Sequence, residues 1–250
     1  MREELEETTT RPKTLERIVK EQIEESLDEY RRSSKSLFLS ALTAGLDLGF
    51  SLLVIGVLYT MFNDRLSVEV MRVVLAMAYP IGFIFVILGR SALFTEHTTL
   101  AILPVLSGRQ SLFEMGRLWV IIYIGNLIGG YIIGAAIAYI GPRLGLVTYD
   151  ALGEIAKHLI DYAAPLILVS AVLAGWLMGL VSWLATSSKE TIARITVVVI
   201  VTAVIGLGGL HHSIVGSTEV FAGMLASDDI TIWDYLVTQF WSTLGNIIGG

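Results

Sequence analysis

Three long stretches of this chain contain no charged residue, namely 73–89, 118–140 and 162–186. Each is about long enough for a helix to cross the hydrocarbon core of a bilayer, which is ~30 Å thick. Only 16% of all residues are charged and 54% are apolar, whereas about a quarter of a soluble domain is charged. The mean hydropathy is +0.71. These features predict a protein that crosses a membrane several times.

Two pairs of similar fragments inside apolar runs indicate an internal repeat. GNLIGG at 125–130 and GNIIGG at 245–250 lie 120 residues apart (245 − 125). The pattern AGxxxG occurs at 44–49 and again at 174–179, 130 residues apart (174 − 44). Small residues allow membrane helices to approach closely. We therefore predict two copies of one membrane unit, an arrangement typical of transporters and channels whose pathway lies between the repeats.

The apolar runs predict six membrane-spanning helices. Lysine and arginine favour the cytoplasmic side of membrane proteins, and their distribution here places both termini in the cytoplasm. Three spans in each unit make the two halves inverted relative to each other. We expect the last span to be cut short, because the first copy of its motif is followed by further apolar residues. The predicted spans are 37–60, 72–92, 117–140, 163–186, 194–210 and 233 onward.

The chain divides into a charged leader and a membrane domain. Residues 1–36 are predicted to form a cytoplasmic tail with an amphipathic helix, since apolar residues recur at helical spacing from Thr14 onward. This helix could lie on the membrane, pack beneath the spans or be simply solvated. Residues 37–250 form the predicted channel or transporter domain, with repeat one at about 37–140 and repeat two at about 163–250. The absence of cysteine excludes disulfides and thiolate metal sites.

Polar residues interrupt the second and fifth predicted spans at equivalent places. The segment 90–99 follows Gly89, and the segment 210–219 follows the glycine-rich stretch 206–209. A short apolar run follows each break. Paired interrupted helices indicate a binding site near the middle of the membrane, because irregular backbone at that depth must be buried in protein or line a cavity. We therefore place the transport pathway at these two breaks.

Six ionisable residues are predicted to lie at membrane depth. Burying such groups costs at least a few kcal/mol each, so they usually face the interior of a helix bundle and serve function. Each also has a simpler interpretation, such as a hydrogen bond between helices or partial hydration near the cytoplasmic end of a span. The two adjacent histidines point in different directions, so at most one of them faces the pore. The six residues are Asp47, Glu96, His97, His211, His212 and Glu219.

The residue types at the breaks favour a small anion or its protonated acid as cargo. Histidine has an ordinary pKa near 6.5, so its charge can change at physiological pH. A protonated imidazole attracts an anion, and a neutral one still donates a hydrogen bond. Helix N-termini add positive potential and free N–H donors. Protons are therefore expected as a second partner.

At these residues the sequence resembles the formate/nitrite transporter family, over residues from about 30 to the end. The motif Leu93-Phe94-Thr95 in the first break, the motif His212-Ser213-Ile214 in the second, and the GNxIGG pair carry the resemblance. The segment from Gly175 to Trp183 is similar to the fourth-helix signature of the family. The chain looks like a divergent branch, similar to the poorly characterised inner-membrane members.

This resemblance implies an all-α, aquaporin-like protomer with six helices, of which helices 2 and 5 are broken, and a homopentamer with one pore in each protomer. It also implies a multi-pass protein of the inner membrane, in contact with the lipid bilayer, without cofactor, nucleic-acid partner or enzymatic activity. The implied pore residues are the central histidine His212, the loop threonine Thr95, the constriction residues Phe94 and Ile205, the motif residue Leu93, the looser candidates Phe83 and Tyr79, and the anion-attracting Lys157.

The chain departs from the family pattern at several of these positions. His211 stands where the family usually has glutamate, and Gly175 and Gly216 stand where asparagines are expected. Acidic pore groups repel a monocarboxylate unless protonation or pairing neutralises them. Formate or nitrite as cargo therefore does not follow from the resemblance. The additional acids are Asp47, Glu96 and Glu219.

Three functions stay open from the sequence. The leading prediction is a channel or proton-coupled carrier for a small monovalent anion or its neutral acid. The surplus carboxylates leave room for a cation or a neutral solute such as ammonia on the same fold. A third interpretation is an intramembrane zinc hydrolase with His97, His211, His212 and a carboxylate as ligands, although their spacing matches no known metal-binding helix motif.

Overall fold

A computed structural model describes residues 12–250, and within this range every regular element is a helix. Residues 1–11 of the predicted tail lie outside the described part. The helices are α1 Leu15–Arg31, α2 Ser34–Phe62, α3 Val68–Ala78, α4 Pro80–Gly89, α5 Phe94–Leu100, α6 Ile102–Leu106, α7 Leu112–Arg143, α8 Tyr149–Ile160, α9 Ala164–Ser187, α10 Thr191–Gly208, α11 Ser213–Ala226 and α12 Ile232–Gly249.

Within residues 12–250, five stretches of helix are long and apolar enough to cross a membrane. They are α2, α7, α9, α10 and the continuous stretch Val68–Gly89, which joins α3 and α4 at Tyr79. The sixth predicted span corresponds to α12, which has 18 residues and carries polar side chains such as Gln239 and Asn246 on its buried side. Helix ends differ from the predicted ones by a few residues. The short helix α8, between the two halves, was not among the predicted elements.

The two small-residue patterns meet in the packed structure. A Cβ atom on Gly45 of α2 would collide with the backbone carbonyl of Asn126 on α7. In the second half, a Cβ atom on Gly175 of α9 would lie 2.5 Å from the carbonyl oxygen of Asn246 on α12. Only glycine allows such close approach of two helix backbones. Each AGxxxG segment therefore packs against the GNxIGG segment of its own half.

A left-handed residue ends both α4 and α10. Arg90 follows α4 with φ 53° and ψ 37°, and Gly209 follows α10 with φ 58° and ψ 34°. Among residues 12–250, Arg90 is the one non-glycine residue with positive φ, a conformation that costs a non-glycine residue about 1–3 kcal/mol. A new helix begins a few residues after each of them, at Phe94 and at Ser213. In the first half, Tyr79 bonds to Ser51 and Ala92 to Ser40, so the chain continues in one direction along α2.

Helix α1 packs against the residue that follows α5 and against the end of α9. Its Tyr30 hydroxyl donates to the carbonyl of Ala101 at 2.7 Å, and Lys13, just before the helix, donates to the carbonyl of Thr186 at 2.6 Å. The buried side of α1 differs from the predicted apolar stripe, because Leu15 is 71% exposed. The residues buried on α1 are Ile18, Gln22, Ser26 and Tyr30.

Candidate functional site

Thr95 and His212 form the central polar pair of the structure. Oγ1 of Thr95 and Nε2 of His212 lie 2.8 Å apart, and both side chains are buried. The backbone N–H of Val215 donates to Nδ1 of His212 at 3.3 Å. Because Nδ1 accepts, the neutral ring carries its hydrogen on Nε2 and donates it to Thr95. The hydroxyl hydrogen of Thr95 is then free for another acceptor.

Two asparagines hold the helices that carry this pair. Oδ1 of Asn126 accepts from the backbone N–H of Phe94 at 2.8 Å, and Oδ1 of Asn246 accepts from that of Ser213 at 2.7 Å. Both side chains are fully buried. Each amide nitrogen also donates to two carbonyls. One lies on the long helix of the same half, and the other lies just before the helix that carries Thr95 or follows His212. Those carbonyl residues are Ala41 and Ala92 for Asn126, and Ala171 and His211 for Asn246.

Two aromatic rings, called the collar below, lie beside the central pair. The ring of Phe83 meets the ring of His212 edge-on, with centroids 5.2 Å apart and planes at 90°. Tyr79 packs on Phe83 at 5.4 Å. Leu93 and Ile205 are fully buried, and their place in the pore stays a prediction. The imidazole of His212 therefore has an apolar neighbour on one side.

Phe94 contacts other aromatic rings. Its ring contacts the rings of Tyr123 and Trp119 on α7, at 4.9 and 6.2 Å. Of the two phenylalanine candidates, Phe83 is the one whose ring meets that of His212. The constriction role of Phe94 stays a prediction.

Glu96 and His97 follow Thr95 on α5 and face away from His212. Glu96 accepts from the Ser182 hydroxyl at 3.3 Å, and Nδ1 of His97 bonds to the carbonyl of Leu93 at 2.8 Å. Glu96 lines an open cavity of about 260 Å³ beneath α1. The other charged residues of this cavity are Glu21, Glu25, Asp28, Arg90 and Arg194. The cavity therefore carries side chains of both charges and is not specific for one type of ion.

The two remaining membrane-depth carboxylates have different surroundings. Asp47 is half-buried and accepts from the hydroxyl of Ser91 at 3.3 Å. Glu219 is only 6% exposed, and between residues 12 and 250 it has neither a hydrogen bond nor an ion pair. It is near enough to the hydroxyl of Tyr79 to interact with it electrostatically. Glu219 is therefore a buried carboxyl group whose burial no hydrogen bond offsets.

Lys157 lies on α8 between two carboxylates. Its ammonium is 3.2 Å from Glu154 and 3.7 Å from Asp229. The hydrogen bond to Glu154, together with the charges of Glu154, Asp229 and Asp161, raises the pKa of Lys157 above its usual range. The ammonium thus stays charged, while the neighbouring carboxylates weaken the positive potential that it presents to an approaching anion.

A small polar cavity lies behind the central histidine. Its volume is about 10 Å³, close to what one water molecule needs. Its polar lining comes from α11 and α12 as well as from both histidines. The sequence does not predict this cavity, because the polar residues along α12 resemble those on the solvent-exposed side of an ordinary helix. The lining side chains with polar atoms are His211, His212, Ser217, Tyr235, Thr238, Gln239 and Ser242.

The histidines and carboxylates are dispersed rather than gathered into a metal centre. In the described part of the chain, no three His, Cys, Asp or Glu side chains are arranged to hold a metal ion. His211 is engaged with Ser170 and with the carbonyl of Leu159, and His97 with Leu93. The ligand set of the zinc interpretation is therefore not assembled here.

The sequence matches the formate/nitrite transporter family over residues 16–250. This chain belongs to that family. It is 32% identical to "Inner membrane protein YfdC" of Escherichia coli (strain K12) over 229 residues, which cover 89% of this chain and 70% of that protein. The match places the chain among transporters and channels and points away from an enzyme.

Solved structures of the family share the fold. One, described as an "FNT family ion channel", superposes with a TM-score of 0.83 and 23% identity, covering 93% of each chain. Another, described as a "Pentameric formate channel with formate bound", has a TM-score of 0.70 and 20% identity, covering 86% of this chain and 92% of that one. The helical architecture of this family member is therefore that of the formate/nitrite channels.

Proposed function

We propose that this family member moves a small monovalent anion or its neutral acid through the collar at Thr95 and His212. The observation that carries the proposal is the 2.8 Å hydrogen bond between these two side chains inside an apolar surround. A buried polar pair beside apolar side chains offers hydrogen bonds to one small molecule. This matches a formate-like or nitrite-like cargo.

The hydrogen-bond directions suggest how the pair serves the cargo. Nε2 of His212 donates to Thr95, so the Thr95 hydroxyl donates onward to a cargo oxygen. The N-terminus of α11, which His212 caps, adds positive potential at the same point. Protonation of the imidazole would add a full positive charge for an anion, and transfer of that proton would release the cargo as a neutral acid. This coupling to protons is part of the proposal.

We further propose a six-helix protomer built as an inverted 3+3 repeat, with broken helices at Arg90 and Gly209. The matching asparagine bonds and glycine contacts of the two halves support it. The pentameric description of the formate channel supports a homopentamer. The name of the YfdC relative supports an inner membrane location, and the lysine and arginine distribution supports cytoplasmic termini. The same arrangement assigns residues 1–36 to the cytoplasm and 37–250 to the pore domain.

A neutral solute such as ammonia, or its cation, is the second candidate cargo. The specific observation in its favour is the buried carboxyl group of Glu219, which has no ion-pair partner among residues 12–250. When ionised, this group disfavours an anion and favours a cation, and a neutral solute is unaffected by its charge. The acids around Lys157 act in the same direction.

A flux assay on purified protein in liposomes separates these candidates. We expect formate, nitrite or a related weak acid to enter protein-containing liposomes faster than empty ones, with lactate and hydrosulfide ranking by size and acidity. If ammonium or ammonia alone is carried, the second candidate replaces the first. If none of these five solutes moves faster than in empty liposomes, the proposed function is wrong.

A further inference from the structure

His211 occupies a fully bonded position next to the central histidine. Its ring nitrogens contact the hydroxyl of Ser170 at 2.9 Å and the carbonyl of Leu159 at 3.0 Å. Its backbone N–H donates to the same Ser170 hydroxyl at 3.1 Å, and its carbonyl accepts from the amide of Asn246 at 3.0 Å. The ring of Tyr162 packs against it edge-on at 5.6 Å. The residue is thus fixed from four sides.

The identities of the partners determine the state of the ring. The carbonyl of Leu159 can only accept, so Nε2 of His211 carries the hydrogen and donates it. Nδ1 is then an acceptor, and the Ser170 hydroxyl donates to it while accepting from the His211 backbone. Every polar atom of the ring is satisfied in the neutral form. No further contact from His211 to Thr95 or the collar is needed to explain its burial.

The carbonyl that His211 binds belongs to the end of helix α8. Leu159 is the residue before the last of Tyr149–Ile160, and the last four carbonyls of a helix have no partner within the helix. A donor placed there satisfies one of them and complements the negative end of the helix dipole. The helix capped in this way carries Lys157, two residues before Leu159. His211 therefore connects the end of α8 to the next residue of the chain, His212.

We propose that His211 is a positioning residue, which caps the C-terminus of α8 and thereby holds His212 in its orientation toward Thr95. This inference rests on the proposed role of His212 in transport. The cap requires a hydrogen-bond donor toward Leu159 and an acceptor toward Ser170. Histidine provides both, whereas the glutamate usual in the family at this position is, as a carboxylate, an acceptor only.

Three substitutions test the donor requirement. We expect His211→Gln to keep liposome flux within about threefold of the parent protein, since its amide provides both a donor and an acceptor. His211→Glu and His211→Ala are expected to lower the maximal flux about tenfold, through loss of the cap and, for the glutamate, repulsion at the helix end. The apparent KM for cargo should change less than the maximal flux, because Lys157 is untouched.

His158 provides the matched control, because it lies on the same helix and is exposed. His158→Glu, His158→Ala and His158→Gln are expected to behave alike, within about twofold of the parent. Equal flux for His211→Glu and His211→Gln, or parental flux for His211→Ala, would overturn the proposal. Retained activity of His211→Gln is the decisive comparison, since a purely packing role would not distinguish an amide from a carboxylate of the same shape.

A second measurement reports on the cap independently of transport. The chain has no cysteine, so Ile160→Cys introduces a single thiol at the end of α8. We expect a water-soluble maleimide to label this thiol about tenfold faster when His211→Ala or His211→Glu is also present, and at the parental rate with His211→Gln. The labelling assay can also be applied to variants that assemble poorly. Ser170→Ala is a milder change than those at His211, because it removes only the hydroxyl that bonds to the His211 ring. Unchanged labelling in all of them would show that His211 does not cap α8, whatever the flux assay says about His212.

Discussion

The ring of Phe83 meets the ring of His212 edge-on, with centroids 5.2 Å apart and planes at 90°. Phe83 is also among the largest fully buried side chains of the described chain. One ring nitrogen of the imidazole therefore bonds to Thr95, and the aromatic ring of Phe83 lies beside the imidazole. This arrangement makes Phe83 the residue that limits the space next to the central hydrogen bond.

Phe83→Ala should widen the collar. We expect lactate flux to rise relative to formate flux, because a buried phenylalanine is replaced by a methyl group and the passage accepts a larger acid. The stability cost is about 3–5 kcal/mol if the neighbours do not relax. The ratio of lactate to formate uptake in liposomes measures the effect. Phe85→Ala is the control, since Phe85 is 46% exposed, and an equal change of the ratio there would argue against a collar at Phe83.

Asn126 and Asn246 should be needed for assembly of the fold rather than for selectivity. Each makes three buried hydrogen bonds through its amide, so Asn126→Ala or Asn246→Ala leaves partners unsatisfied at a cost of about 3 kcal/mol or more. Thermal unfolding of the purified protein in detergent measures this. Asn63→Ala, at the C-cap of α2, should have little effect. Parental stability of both buried variants would contradict the assigned role.

The sequence predicts the five long apolar helices, because uncharged apolar runs have few other uses. It also predicts the two polar segments in which the structure has the left-handed residues Arg90 and Gly209. Hydropathy cannot reveal that the asparagine of GNxIGG bonds the first amide of the helix after each of these residues, since the partner is more than 30 residues away. The motif accordingly reads as small-residue packing alone. The capping role of His211 is equally invisible, because Leu159 contributes a backbone atom.

Lys157 should attract anions only weakly, because Glu154 and Asp229 lie beside it. Lys157→Gln is expected to raise the apparent KM for an anionic cargo several-fold, and Glu154→Gln to lower it, each through the local potential. Both effects should disappear in about 1 M salt, where the screening length is ~3 Å. Initial uptake rates at low and high salt check this. Effects of the same sign for the two variants would exclude an electrostatic role.

Docking of α1 should weaken in acid. Hydrogen bonds from Lys13 and then Arg17 lower the pKa of Glu21 below its ordinary value of 4.5. A carboxylate with a lowered pKa stabilises the folded arrangement above pH 4.5, and this contribution is lost as the pH falls through the lowered pKa. Lys13 also binds the carbonyl of Thr186 on α9, so the contact between α1 and α9 should loosen as the pH falls below 4.5 toward the lowered pKa of Glu21.

Labelling measures this docking. A single cysteine in place of Thr186 should react with a soluble maleimide faster at pH 4 than at pH 6, after correction for the thiolate fraction. Glu21→Gln should label fast at both pH values, while Glu24→Gln, on the exposed side of α1, should resemble the parent. Identical ratios in all three proteins would show that the Lys13–Glu21 pair does not hold α1.

The most direct test of the central claim is the pH dependence of cargo flux in liposomes for the parent and for His212→Asn. The account predicts that the parent shows a change of flux with pH that His212→Asn lacks, with a maximal rate reduced about tenfold or more by loss of the bond to Thr95. His158→Asn, on the exposed side of α8, should keep the parental profile. An unchanged rate and an unchanged pH profile in His212→Asn, for every anion and weak acid tested, would contradict the account.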